Sequence, residues 1–173
     1  MQSKYKTQKK TIFILIIYVG ILVLIDIFIK EWIKKNDLQN IGKCSGSRAL
    51  IHYHPIYNEK GSYINLITSL EYNRIIFLII AFIGIIFGAF LLKYILKSKR
   101  RYGYNMVVIV PEILFIAACV GRFVERIRGF YTLDYIAIKN VAILDLLDFY
   151  FVFGCVGIIV VSMYIQNIDK KQK

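Results

Sequence analysis

Four long apolar stretches, at residues 12 to 32, 75 to 96, 104 to 121 and 142 to 165, take up about half of this 173-residue chain and confine it to a bilayer. About 20 helical residues cross roughly 30 Å of hydrocarbon, and each stretch approaches that length. With 58% hydrophobic residues and a mean hydropathy of +0.58, the chain reads as an all-α polytopic membrane protein. Little chain remains for anything else, so residues 1–173 are expected to form a single domain of four transmembrane helices.

The first stretch has lysines ahead of an apolar core, as a secretory signal does. It has no small-x-small cleavage site and stays apolar past Asp26 to Trp32, so it reads as an uncleaved anchor. Basic residues cluster at Lys4, Lys6, Lys9 and Lys10, at Lys97, Lys99, Arg100 and Arg101, and at Lys170, Lys171 and Lys173. Four spans put all three clusters on one side, and the positive-inside tendency makes that side cytoplasmic, with both termini inside. These clusters and their contact with anionic headgroups account for the net charge of +12. A nucleic-acid partner would need a basic face on a domain of its own, which the sequence lacks.

Two connections then face outward. The longer, about residues 33–73, contains LIHYHPIYN, which alternates and is rich in Tyr and Ile, followed by the turn-forming NEKGS. A short strand or hairpin on the membrane surface is expected there, a small extracytoplasmic β-containing loop. The shorter, residues 122–141, holds Asp134 near the ends of helices three and four. Cys44, Cys119 and Cys155 have no tight spacing and suggest neither a disulfide framework nor a metal cluster. His52 and His54 share a strand face, and with no further histidine in the chain a plain surface strand is the simpler reading than a metal site.

Serine, nucleotide and zinc signatures are absent, which leaves carboxylates. Acids at a membrane edge lose hydration and need partners, so they are functional candidates by default. Asp145 and Asp148 are three residues apart and would share a helix face. If Asp148 meets Asp134 across a water, the two charges cannot both ionise easily and one proton is shared. One carboxylate then takes a proton from the water while the other donates to the scissile carbonyl oxygen, as in peptide hydrolysis.

Five segments in order resemble the lipoprotein signal peptidases, also called signal peptidase II. Asp26-Ile-Phe-Ile-Lys30 is similar to the family's Asp-x-x-x-Lys, and Asn58-Glu-Lys-Gly61 to its Asn-x-Gly segment. Gly121-Arg-Phe-Val-Glu125-Arg126 resembles Gly-Asn-x-x-Asp-Arg, Leu133-Asp134-Tyr135 resembles Val-x-Asp-Phe, and Leu144-Asp145-Leu-Leu-Asp148 resembles Phe-Asn-x-Ala-Asp. The resemblance implies an aspartic endopeptidase of the bacterial cytoplasmic (inner) membrane, its active site facing outward and Asp134 and Asp148 catalytic. It also implies Asn58 and Arg126 as substrate-positioning residues, with Asp26, Lys30, Arg122, Glu125 and Asp145 organising the site. Substrates would be diacylglyceryl-modified prolipoproteins among membrane lipids, handled by a monomer without metal or organic cofactor.

Three motif positions depart from the family: Arg122 for Asn, Glu125 for Asp and Asp145 for Asn. A third carboxylate one turn from Asp148 adds repulsion unless Arg122 compensates it. The same departures admit a non-enzymatic alternative, a paralogue that binds lipopeptides or inhibitors as a decoy, resistance or immunity protein. Asp26 and Lys30 equally fit a local ion pair. Glu112, after Pro111, has no family counterpart, and Gly84, Gly88, Gly154 and Gly157 suggest close helix packing.

Overall fold

The computed structural model describes residues 2–43, 49–58, 74–102, 106–129 and 132–171. The helices are α1 (Gln2–Asn36), α2 (Arg74–Tyr102), α3 (Val110–Arg128) and α4 (Leu146–Lys171). Among the described residues, three are long and apolar enough to cross a membrane, over Ile12–Asn36, Ile75–Lys97 and Leu146–Ile168. The 19-residue α3 is shorter and carries Glu112, Arg122, Glu125, Arg126 and Arg128. It packs against each of the other three, so much of its surface meets protein, and a lipid-like periphery is needed only where lipid touches.

Leu15 of α1, Ile95 of α2, Ile109 ahead of α3 and Ile165 of α4 form one buried cluster. The start of α1, the end of α2, the start of α3 and the end of α4 therefore gather at one end of the bundle, and the helices alternate in direction. Glycines let them approach closely. A Cβ at Gly154 would stand 2.7 Å from the Phe115 backbone nitrogen, so α3 and α4 touch almost backbone to backbone. Large apolar side chains such as Phe13, Phe28, Phe90 and Met163 cover the outside, where a bilayer would solvate them.

A small sheet caps the opposite end. Strands β1 (Ile51–Asn58), β2 (Thr132–Ile138) and β3 (Ala142–Leu144) are antiparallel in that order. The strand expected in LIHYHPIYN is present as β1, and its partner is the distant β2, with Ile56 opposite Asp134 and Asn58 opposite Thr132. The ladder is irregular between Tyr53 and Ile56, around Pro55, which an edge strand tolerates because the missing N–H is not needed there. Leu133 and Tyr135 of β2 pack with Ile33 of α1, fastening the sheet to the bundle. Side chains alternate along a strand, so Asp134 has the opposite parity to that apolar pair. The end of the NEKGS turn and Cys44 lie outside the described residues.

Three boundaries differ from the hydropathy reading, and the last two matter to the site. The third helix begins at Val110, after a 3-10 turn at Met106–Ile109, and runs to Arg128 rather than stopping at 121. Pro111 sits in its first turn, where its missing N–H costs nothing. Residues 142–144, expected to open the fourth helix, instead pair with β2, and α4 starts at Leu146. Hydropathy does not separate a short apolar strand from the first turn of an apolar helix.

Candidate active site

Asp145 stands just ahead of α4 rather than on its face. Its backbone N–H donates to Asp148 Oδ2 at 3.1 Å, and the Asp148 N–H donates to Asp145 Oδ1 at 3.0 Å. This reciprocal pairing is a capping box built from two aspartates, and it satisfies helix N–H groups that would otherwise lack acceptors. The expectation of two acids side by side on a helix is thereby corrected: Asp145 is the cap and Asp148 belongs to the first turn. The D-x-x-D spacing ahead of an apolar run carried that signal.

The extension of α3 brings Arg122 to the same place. Its Nη1 donates to Asp145 Oδ2 at 2.9 Å and Nη2 to Asp145 Oδ1 at 2.8 Å, a bidentate pairing. Nη2 also reaches Asp148 Oδ1 at 2.5 Å, and Nη1 reaches Glu125 Oε2 at 3.0 Å. The juxtaposition on which charge compensation depends is therefore present.

Lys30 supplies the second cation. Its ammonium lies 2.7 Å from Asp26 Oδ2 and 2.5 Å from Asp145 Oδ2, and it also donates to Glu125 Oε1. The local Asp26–Lys30 pair exists, but it is one arm of a network that joins α1, α3 and the start of α4. Asp26 and Asp145 are almost wholly enclosed, so the pairing is what makes their burial tolerable. Sequence spacing showed only the i, i+4 arm.

The sheet delivers the remaining groups. Asn58 of β1 donates from Nδ2 to Asp134 Oδ2 at 2.8 Å. The other oxygen, Asp134 Oδ1, is buried and has no hydrogen-bond partner among the described residues. Asp134, Asp145 and Asp148 each have a carboxylate oxygen within 4.8 Å of the others. Burial, with the negative charge of Asp145 adding to it, pushes the Asp134 carboxyl up to about 7. Asp145 goes the other way: burial resists its ionisation, but Arg122 and Lys30 prevail and hold it below the ordinary carboxylate value. Asp148 keeps 32% of its side chain exposed whereas Asp145 keeps none, so Asp148 is the more accessible of these neighbours.

This geometry brings together eight of the nine residues singled out from sequence. Arg126 is placed differently: it is buried on the face of α3 toward α2, with its guanidinium 5.1 Å from the centre of the Phe77 ring. A second acidic triple, Asp26, Glu125 and Asp145, is closed by the Lys30 ammonium in the manner of a bound cation. His52 and His54 are neighbours on β1 with ring centres 6.4 Å apart, and no third ligand group joins them among the described residues. A cavity of about 170 Å³ between α1 and α3 includes Lys30, Glu125 and Leu133 in its wall, but neither Asp134 nor Asp148.

Comparison with known proteins places the chain in a family. The sequence matches the family model described as signal peptidase (SPase) II over residues 18–165, which takes in every residue of the network. A solved structure described as a bacterial membrane enzyme, determined by the in meso method at 2.3 Å resolution, superimposes with a TM-score of 0.64. It covers 92% of each chain at 18% sequence identity, a likeness of fold. No curated protein matches the sequence.

Proposed function

From the premise that this chain belongs to the signal peptidase II family, a family of membrane proteases that process lipoproteins, we propose that it is an aspartic endopeptidase with Asp134 and Asp148 as its catalytic pair. It would remove the signal peptide from diacylglyceryl-modified prolipoproteins. The observation that carries this reading is the buried Asp134 Oδ1, without a partner among the described residues, beside the partly open Asp148.

Asp134, whose surroundings favour the protonated form up to about pH 7, is the proton donor. Asp148, whose oxygens meet the Arg122 guanidinium and the Asp145 N–H, is the base. Asp148 takes a proton from water as the water oxygen bonds to the scissile carbonyl carbon, and Asp134 gives its proton to the carbonyl oxygen. The tetrahedral adduct then returns that proton to Asp134, and the proton on Asp148 passes to the leaving nitrogen as the C–N bond breaks. Asn58 orients Asp134 throughout. Arg126, buried toward α2, is assigned to positioning the substrate backbone or lipid.

We further assign a fourth membrane crossing to α3. At 1.5 Å per residue its 19 residues span roughly 28 Å, close to the hydrocarbon thickness. On this reading the basic ends of α1, α2 and α4 are cytoplasmic by the positive-inside tendency, with both termini inside and the active site at the outer surface of a bacterial inner membrane. The working unit is a single chain.

Cleavage of a synthetic diacylglyceryl-modified precursor peptide by the purified protein in lipid vesicles tests the reading, with loss expected in both D134N and D148N. The Arg122 contact with Asp148 favours a second reading, a paralogue that binds lipopeptides or inhibitors without cutting. Saturable peptide binding with no product from the unmodified chain would select that reading and overturn the first.

A further inference from the structure

Arg122 is the most highly connected cation at the dyad and the position where this chain departs most in character from the motif it resembles. Its guanidinium grips both oxygens of Asp145 and one oxygen of Asp148, while the backbone N–H of Asp145 holds the other oxygen of Asp148. Asp148 is thus clamped from both sides, and both jaws depend on Asp145. Removing the arginine alone would leave a fully enclosed Asp145 facing four further carboxylates, with Lys30 the one cation left to balance it among the described residues. Removing the Asp145 charge alone would leave Arg122 free to swing wholly onto Asp148 and Glu125. An asparagine at both positions loses the cation and the anion together.

We propose that Arg122 and Asp145 work as one exchanged charge pair that fixes the position of Asp148 and sets the charge seen by Asp134, so that Arg122 is a positioning residue of the dyad. The inference rests on the peptidase reading above, and it deepens that reading by naming what replaces the amide-lined surroundings suggested by the motif. Asp134 faces Asn58, Arg122, Asp145 and Asp148. Of these, Asp145 and Asp148 favour its protonated form, whereas Arg122 and the Asn58 hydrogen bond favour the charged form. The two members of the pair therefore pull Asp134 in opposite directions.

The test compares the full-length chain with R122N, D145N, R122N/D145N and the conservative R122K in lipid vesicles. Cleavage of the synthetic diacylglyceryl-modified precursor is followed across pH. R122N should lower kcat on the order of a hundredfold, the scale set by misplacing a catalytic group by about 1 Å, with KM changed by less than about threefold. The double variant should recover to within about tenfold of the unmodified chain, and R122K should fall between. With Asp134 as the proton donor, the alkaline fall in rate should move to higher pH in R122N and to lower pH in D145N, and return toward its starting place in the double variant. Losses that simply multiply in the double variant, an effect confined to KM, or an unmoved alkaline limb in both single variants would each overturn the proposal.

Thermal unfolding of the same set supplies a readout that does not require turnover. The double variant should melt above both single variants; a double variant that melts at the sum of the two losses counts against the pair. If the unmodified chain binds the precursor without cutting it, the peptidase reading fails, and the melting series still decides whether the two charges are coupled.

Discussion

Glu112 and Asp145 are both fully enclosed acids in the same bundle, and the fold treats them in opposite ways. Asp145 accepts from both terminal nitrogens of Arg122, from the Lys30 ammonium and from the Asp148 backbone N–H. Glu112, in the first turn of α3 near the other end, has neither carboxylate oxygen hydrogen-bonded among the described residues. It lies one turn before Ile116, on the side of α3 that meets Gly88 of α2. Burial alone therefore does not decide how an acid is held here. The donor set does, because an ionised carboxylate at low dielectric persists only where cations or N–H groups replace its water.

The comparison breaks most sharply at the dyad. Asp134→Asn and Asp148→Asn should each lower kcat by more than about a thousandfold, since neither a water activated by one acid alone nor an unprotonated carbonyl is replaced by anything nearby. A residual rate within tenfold of the unmodified chain in either variant would move the chemistry elsewhere. Next in size is the shared ammonium. Lys30→Met leaves Asp26, Glu125 and Asp145 facing one another around an uncharged side chain, and stability should fall by about 3–5 kcal/mol, read as a lower Tm in vesicles. An unchanged Tm would show that the three carboxylates do not depend on Lys30.

A smaller effect follows from the surroundings of Asp134. Its burial and the Asp145 charge push it up to about 7, so a donor role predicts cleavage that holds below that pH and falls about tenfold per unit above it. A rate still rising with pH at 8 would exchange the roles of the two aspartates. Smallest is the change at the other end of the bundle. Glu112→Met removes two oxygens without partners among the described residues and keeps the shape, so stability should rise by about 1 kcal/mol with cleavage unaltered. A loss of cleavage there would show that the isolated acid has a function of its own.

Much of the candidate site was legible in the sequence. Asp134 and Asp148 stand out as acids at the membrane edge, Asp26 and Lys30 by their i, i+4 spacing and Asn58 through the family resemblance, and the structure assembles all five at one end of the bundle. The strand in LIHYHPIYN was also readable from its alternation. Its partner was not, because β1 and β2 are separated by more than 70 residues and pairing across that distance leaves no local trace. The displaced start of the fourth helix has the same origin: Ala142–Leu144 is as apolar as a helix start, and only the neighbouring β2 draws it into a sheet.

By itself the sequence determined that the chain lives in a membrane, singled out a few carboxylates as candidates and, set against the motifs it resembles, marked Arg122 and Asp145 as departures. Those properties depend on composition and short spacings, which a chain keeps in any conformation. Only the tertiary structure decided that Arg122 grips Asp145 with both nitrogens, that Lys30 ties three helical elements together, and that Asp134 keeps one buried oxygen without a partner among the described residues. Hydrogen bonds and ion pairs act over a few ångströms, and the fold alone brings residues a hundred positions apart within that reach.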